Sequence, residues 1–126
     1  MKPARILISF ALVLGSMLAS PLLAHEPAKG RNGGLRVDAG VYHTELLVDG
    51  TTKVVIFLSD VEDKPIPSAG FKGTAILIID GKSQRIEMLP AEASMLVGTA
   101  PAPVQPGVKG VVQLFSPDGK TSQGKF

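Results

Sequence analysis

The chain has no cysteine and no tryptophan, and Tyr42 is its one tyrosine. The absence of cysteine excludes disulfides, thiol chemistry and a lipid-modified cysteine anchor. The sequence also lacks a G-x-S-x-G elbow and a P-loop, the motifs of two large groups of enzymes. We therefore expect stability to come from an aliphatic core, and we predict no catalytic residue and no enzyme activity.

Long apolar runs are missing except at the N-terminus. Lys2 and Arg5 precede the apolar run 6–14, and small and turn-forming residues follow as far as Ala24. This order predicts a signal peptide over residues 1–24, so that cleavage leaves His25 as the first residue of a periplasmic protein. The alternative is an uncleaved membrane anchor, but glycine, serine and proline interrupt the segment. We expect no stable membrane insertion after cleavage.

An excess of basic charge is also missing from the mature chain. Residues 25–126 carry 11 basic and 11 acidic side chains, and the surplus of the full chain comes from Lys2 and Arg5. Nucleic-acid binding depends on a basic face. The sequence therefore predicts no nucleic-acid partner.

Short, β-branched segments separated by turn residues fill the chain after residue 33. Asp-Gly pairs at 49–50, 80–81 and 118–119 each predict a tight hairpin, and no segment keeps helical spacing of apolar residues over three turns. The pattern predicts an all-β fold, an antiparallel, immunoglobulin-like β-sandwich of seven or eight short strands over residues 34–126. Residues 25–33 are predicted to be a flexible N-terminal arm.

His43 and Glu45 form the most promising chemical pair. They are two residues apart on a predicted strand, so both side chains leave the same face and could share a metal ion. One histidine and one carboxylate fall short of the three or four ligands of a tight site. The alternative is a solvent-facing strand surface with an incidental ion pair. The acidic segment around Asp63 is predicted to be a solvated loop.

His25 could extend this pair after cleavage. Its free α-amino group and imidazole can chelate one ion, and with His43 they would supply three nitrogens, a set that suits Cu(II). The amine must first lose its proton, so binding would depend on pH. The alternative is a disordered histidine at a processed terminus. Met88 and Met95 are predicted to pack in the core rather than to bind Cu(I).

A series of short motifs runs through residues 32–126: Gly33-Gly34, Asp38-Ala-Gly40, Tyr42-His43, Glu45-Leu46, Asp60, Asp63-Lys-Pro65, Gly70, Leu89-Pro-Ala91, Leu96-x-Gly98, Asp118-Gly-Lys120 and Phe126. In these motifs the chain resembles small exported β-domain proteins related to the N-terminal part of periplasmic adaptor subunits of heavy-metal efflux systems. The resemblance implies a periplasmic β-sandwich that handles Cu, Zn, Co or Ni. The family's histidine before the Gly-Gly pair is here Asn32.

The leading hypothesis is a non-enzymatic periplasmic protein that binds or delivers copper or zinc through His43, Glu45 and His25. The alternative is a metal-free interaction module that docks onto an efflux system or another envelope protein, with its sheet edges free to pair with a partner strand. A copper-dependent oxidative enzyme with an N-terminal histidine is a third hypothesis. It requires a flat aromatic or polar binding face, for which the chain offers little.

Overall fold

The computed structural model describes residues 26–126, so the predicted signal peptide 1–24 and His25 lie outside the described residues. Residues 26–126 form no helix long and apolar enough to cross a membrane. They form nine strands. The strands are β1 (Ala28–Lys29), β2 (Leu35–Ala39), β3 (Tyr42–Leu47), β4 (Lys53–Asp60), β5 (Lys72–Ile79), β6 (Lys82–Pro90), β7 (Met95–Thr99), β8 (Gly110–Phe115) and β9 (Thr121–Lys125).

All nine strands belong to one curled, antiparallel sheet with the order β1-β2-β3-β4-β7-β6-β5-β8-β9. Strand β6 joins its two halves: most of β6 pairs with β5, whereas Leu89 and Pro90 pair with Val97 and Leu96 of β7. The all-β, antiparallel prediction is confirmed. The observed arrangement is a half-barrel, and β1 brings the strand count to nine, above the predicted seven or eight.

The three Asp-Gly pairs lie in the connections from β3 to β4, β5 to β6 and β8 to β9, and each connection joins two antiparallel strands, so the three hairpins are confirmed. The prediction of a tight turn at residues 49–50 is wrong, because Leu47 is opposite Val55 and residues 48–54 lie between them. The tightest is the second, where Ile79 is opposite Lys82 and only Asp80 and Gly81 lie between. Both central residues have positive φ, 51° and 76°. That conformation matches the twist of two adjoining strands and explains why Asp-Gly is favoured there.

The core lies on the inner face of the curled sheet. Alternate residues of the central strands point into it, among them Ile56 and Leu58 of β4 and Leu77 of β5. Met88 is fully buried in the same cluster, as predicted, whereas Met95 is only half-buried. The period of two in strand side chains accounts for this division between an inner and an outer face.

Strand β9 closes against β2 at Gly124. A Cβ atom at Gly124 would lie 2.8 Å from Cγ2 of Val37 and 3.1 Å from the carbonyl oxygen of Asp38. A side chain would push the strands apart, so glycine allows this close approach. The contact supports the start of the sheet from its inner side, directly behind the outer-face residues described next.

One half of the sheet consists of β1, β2, β3, β4, β7 and the end of β6. Its outer face carries three rows of side chains, because directly opposed residues of antiparallel strands share a face. The polar row is Asp38, His43 and Ser59; the mixed row is Arg36, Glu45, Phe57 and Met95; the apolar row is Leu47, Val55, Val97 and Leu89.

Candidate functional site

His43 and Glu45 both lie on the outer face of β3, as their spacing predicts. Their neighbours Thr44 and Leu46 are buried towards the inside of the sheet. His43 is nevertheless only 8% exposed and Glu45 only 5% exposed. Each is covered by a different loop, so neither belongs to the open strand surface that was the alternative interpretation.

The imidazole of His43 lies between two carboxylates. Its Nδ1 is 2.7 Å from Oδ1 of Asp63, and its Nε2 is 3.1 Å from Oδ1 of Asp38. A neutral imidazole donates from one nitrogen only, whereas a doubly protonated ring donates from both. In either state a carboxylate contacts each ring nitrogen, so the orientation of the ring is fixed from both sides.

Asp63 reaches His43 from a tight turn after β4. The backbone N–H of Asp63 donates to the carbonyl oxygen of Asp60, at 3.0 Å. The side chain of Asp60 stabilises the turn by accepting from the N–H groups of Glu62 and Lys64. Asp63 itself has a φ of 62°, a left-handed conformation that aspartate tolerates better than most residues. This turn directs the Asp63 carboxylate back over β3.

The Asp63 carboxylate also binds Arg36, whose Nη1 donates to Oδ2 at 2.6 Å. The hydrogen bond from His43 is the main cause that lowers the pKa of Asp63, and Arg36 lowers this pKa further, although partial burial acts in the opposite direction. Asp63 thus remains an anion at neutral pH and links the histidine to the arginine. The expectation that Asp63 lies in a merely solvated loop is wrong.

Glu45 has different partners, all of them N–H groups of the turn at residues 30–34. Its Oε2 accepts from the backbone N–H of Gly34 at 2.8 Å and from that of Asn32 at 3.0 Å. Its Oε1 accepts from the Asn32 backbone and side-chain amides, both at 3.2 Å. Glu45 therefore binds the turn at residues 30–34, whereas His43 contacts Asp38 and Asp63. A direct role of Glu45 as a metal ligand stays a prediction.

Asp38 and Arg36 are the site residues that the sequence did not reveal. Strand β2 continues to Ala39 and sets Asp38 opposite His43. The available signal was the turn at residues 40–41: counting equally outwards along both strands pairs residue 38 with residue 43. Arg36 had no such signal, because its partner Asp63 is 27 residues away.

An open groove surrounds these residues. This His43 groove has a volume of about 680 Å³ and is lined by Glu26, Arg36, Asp38, Gly40, His43, Val61 and Asp63. Strand β1 pairs with β2, with Ala28 opposite Arg36, and two residues before Ala28 the chain reaches the groove, where Glu26 and Asp38 both line the wall. Glu26 thus places the start of the described chain at the groove, and His25 precedes it directly.

The described residues fit part of a metal site. Residues 26–126 contain no group of three or more histidine, aspartate or glutamate side chains arranged around one point. However, two donors bound side by side to one Cu or Zn ion lie roughly 2.9–3.3 Å apart, and the Nε2 of His43 is 3.1 Å from Oδ1 of Asp38. Metal-bound histidines commonly direct their other nitrogen to a carboxylate, as Nδ1 does here towards Asp63.

No protein-family model, no curated protein and no solved structure matches the chain. The relation to heavy-metal efflux adaptor subunits therefore stays a prediction from the motifs.

Proposed function

We propose that this chain is a non-enzymatic periplasmic protein that binds or delivers a transition metal of the copper or zinc class at the His43 groove. The observation that carries the proposal is the pair of donors on adjoining strands, Nε2 of His43 and Oδ1 of Asp38, 3.1 Å apart. An ion would bind between these two atoms. The bond from Nδ1 to Asp63 would keep the ring in the required orientation.

The remaining ligands come from the mature N-terminus in this proposal. Cleavage after Ala24 leaves the α-amino group and the imidazole on His25, next to Glu26, which lines the groove. Together with His43 and Asp38 they make a set of three nitrogens and one oxygen, which suits the tetragonal preference of Cu(II). Asp38 thus takes the place that the sequence suggested for Glu45.

A titration of the exported protein with Cu(II) and Zn(II) tests the proposal, after intact mass has shown that the chain begins with His25. His43→Ala should weaken binding of the preferred ion by about a hundredfold or more, because it removes a ligand. Glu87→Gln, on an exposed carboxylate of β6, is the matched control and should bind like the parent. Equal affinity of the His43→Ala protein and the parent would remove His43 from the site.

The amine ligand has a separate test. A protein with one extra alanine before His25 keeps both histidines but moves the α-amino group away from the imidazole of His25. We expect the Cu(II) affinity to fall and the visible absorption band to shift, since one nitrogen ligand is replaced. An unchanged affinity and spectrum would exclude the N-terminal amine.

We also propose that the curled sheet is a variant of the immunoglobulin-like sandwich implied by the motif resemblance. In that description β6 belongs to both layers, since it pairs with β5 along most of its length and with β7 at its end. The approach of β9 to β2 at Gly124 supports two layers that face each other. An experimental structure with two facing sheets and a shared β6 is the expected result.

The metal-free alternative, docking onto an efflux system or another envelope protein, is favoured by the apolar row. Val55 is buried on the outer face although it lies outside the core cluster, and Leu89, at the end of the same row, is 47% exposed. An exposed apolar side chain that continues a larger apolar row is a feature of interaction surfaces. Leu89→Ser should reduce recovery of a co-purified partner with or without chelator, whereas Ile78→Ser, on an exposed position of β5, should not.

A further inference from the structure

Glu45 is an unusual buried carboxylate because its partners are N–H groups rather than a cation. Three donors of the turn at residues 30–34 contact it at 2.8–3.2 Å. Arg36 lies opposite Glu45 in the sheet but directs its guanidinium to Asp63. Backbone N–H groups converging on a carboxylate form charge-assisted hydrogen bonds, which are stronger than neutral ones. The turn is therefore bound to the outer face of β3 through this one side chain.

The turn is shaped to fit the carboxylate. A Cβ atom at Gly30 would lie 2.0 Å from Cδ of Glu45, and one at Gly34 would lie 2.3 Å from the carbonyl oxygen of Leu46. Gly33 has a φ of 86°, which favours glycine, and the N–H of Gly30 donates to the carbonyl oxygen of Gly34 at 2.8 Å. At residues 30 and 34, only glycine leaves room for this approach of the turn to β3.

Strand β1, which precedes this turn, is too short to be stable on β2 by its own pairing. Strand β1 pairs with β2 through two residues, Ala28 and Lys29, at the edge of the sheet. Two residue pairs contribute little stability on their own. Yet this pairing determines which residue at the start of the described chain lines the His43 groove, because the chain runs from the turn through β1 to Glu26.

We infer that Glu45 is a positioning residue, which sets the register of the N-terminal arm on β2 and thereby brings the chain start to His43 and Asp38. Its effect on the arm stands on the hydrogen bonds of the described residues. Its effect on a metal rests on the proposed function. Glu45 therefore acts through the arm and does not itself bind the ion.

Glu45→Gln tests this role because it keeps the size of the side chain but replaces one acceptor oxygen with a donor amide that faces N–H groups. In the exported protein without metal, we expect the amides of residues 28–34 to exchange with deuterium at least tenfold faster. With Cu(II), we expect affinity to fall about tenfold, as for residues that orient ligands. The His43→Ala protein should lose far more affinity but keep the parent's exchange in residues 28–34. Glu87→Gln serves as the control for both measurements.

Gly30→Ala is the second variant, since it leaves Glu45 in the sequence but its methyl group would overlap the Glu45 carboxyl group and force the turn and this side chain apart. It should reproduce the faster exchange and the weaker binding, even where Glu45→Gln disturbs folding. Unchanged exchange in both variants would overturn the positioning role. Faster exchange with unchanged Cu(II) affinity would overturn its link to the site. If the parent protein binds no metal but the variants show faster exchange, the proposed function is contradicted and the positioning of the arm is supported.

Discussion

His43 and Glu45 are both buried polar side chains on the outer face of β3, but their hydrogen-bond partners differ. Glu45 is surrounded by N–H groups of one nearby turn, and these use both of its oxygens. His43 is surrounded by carboxylates from two separate elements, Asp38 on β2 and Asp63 after β4. Fixed donors of the backbone suit a structural role, whereas carboxylates around an imidazole can exchange a proton for a metal ion. Glu45 and His43 are thus similarly buried, but their surroundings suit different chemical roles.

The largest expected effect is the loss of Cu(II) affinity when Asp38, the proposed ligand beside His43, is replaced. Asp38→Asn should lower Cu(II) affinity about a hundredfold, because the amide oxygen is a poor donor for this class of ion. Isothermal titration calorimetry at fixed pH measures the change. Asp118→Asn, in the turn between β8 and β9, is the control. Affinity of the Asp38→Asn protein within twofold of the parent would show that the 3.1 Å spacing has no role in binding.

The Glu45 end should respond in stability instead. Glu45→Ala leaves several N–H groups of the turn without their acceptor, which we expect to lower the free energy of unfolding by about 2 kcal/mol. Urea denaturation of the metal-free protein measures this loss. His43→Ala should cost less, since Asp38 and Asp63 are partly exposed and regain water. The reverse order of the two losses would contradict the division of roles between Glu45 and His43.

Asp63 should have an intermediate effect on metal binding because it orients the ring without binding the ion. Asp63→Asn retains an acceptor oxygen for Nδ1 but removes the negative charge, so we expect Cu(II) affinity to fall about tenfold. Arg36→Gln should change affinity less, since it contacts Asp63 and not the ring. A loss for Asp63→Asn as large as for His43→Ala would identify Asp63 as a ligand.

The smallest expected effect is the acid dependence of stability. The pKa of Asp63 is lower in the folded chain than its ordinary value of 3.8. Its contribution to stability is therefore fully present above that ordinary value and is lost as pH falls through the lower folded value. Urea denaturation of the metal-free protein between neutral pH and about pH 2 should show a shallower acid decline for Asp63→Asn than for the parent.

The same comparison in a His43→Ala background sharpens this test. His43 is the main cause of the lowered pKa of Asp63. Once the ring is removed, the Asp63→Asn substitution should therefore change the acid decline of stability only slightly. A full-sized difference that persists without His43 would assign the acid dependence to Arg36 instead.

The sequence predicted the strands and the three hairpins because these depend on local signals, alternation and Asp-Gly turns. It also predicted that His43 and Glu45 share a face, since that follows from strand spacing alone. It did not predict strand β1, whose Ala28 and Lys29 carry no strand preference. Nor did it predict the partner Asp63, because a left-handed turn 20 residues further along the chain brings that carboxylate back.

We expect a metal ion to bind at His43 and Asp38 rather than at Glu45 or elsewhere. Cu(II) broadens the NMR signals of nuclei near it, so amide spectra of the exported protein during a substoichiometric Cu(II) titration test the location directly. We predict early loss of the signals of residues 26, 38 and 43, with those of β5 and β8 retained. Uniform broadening, or loss that begins at another part of the molecule, would contradict the account.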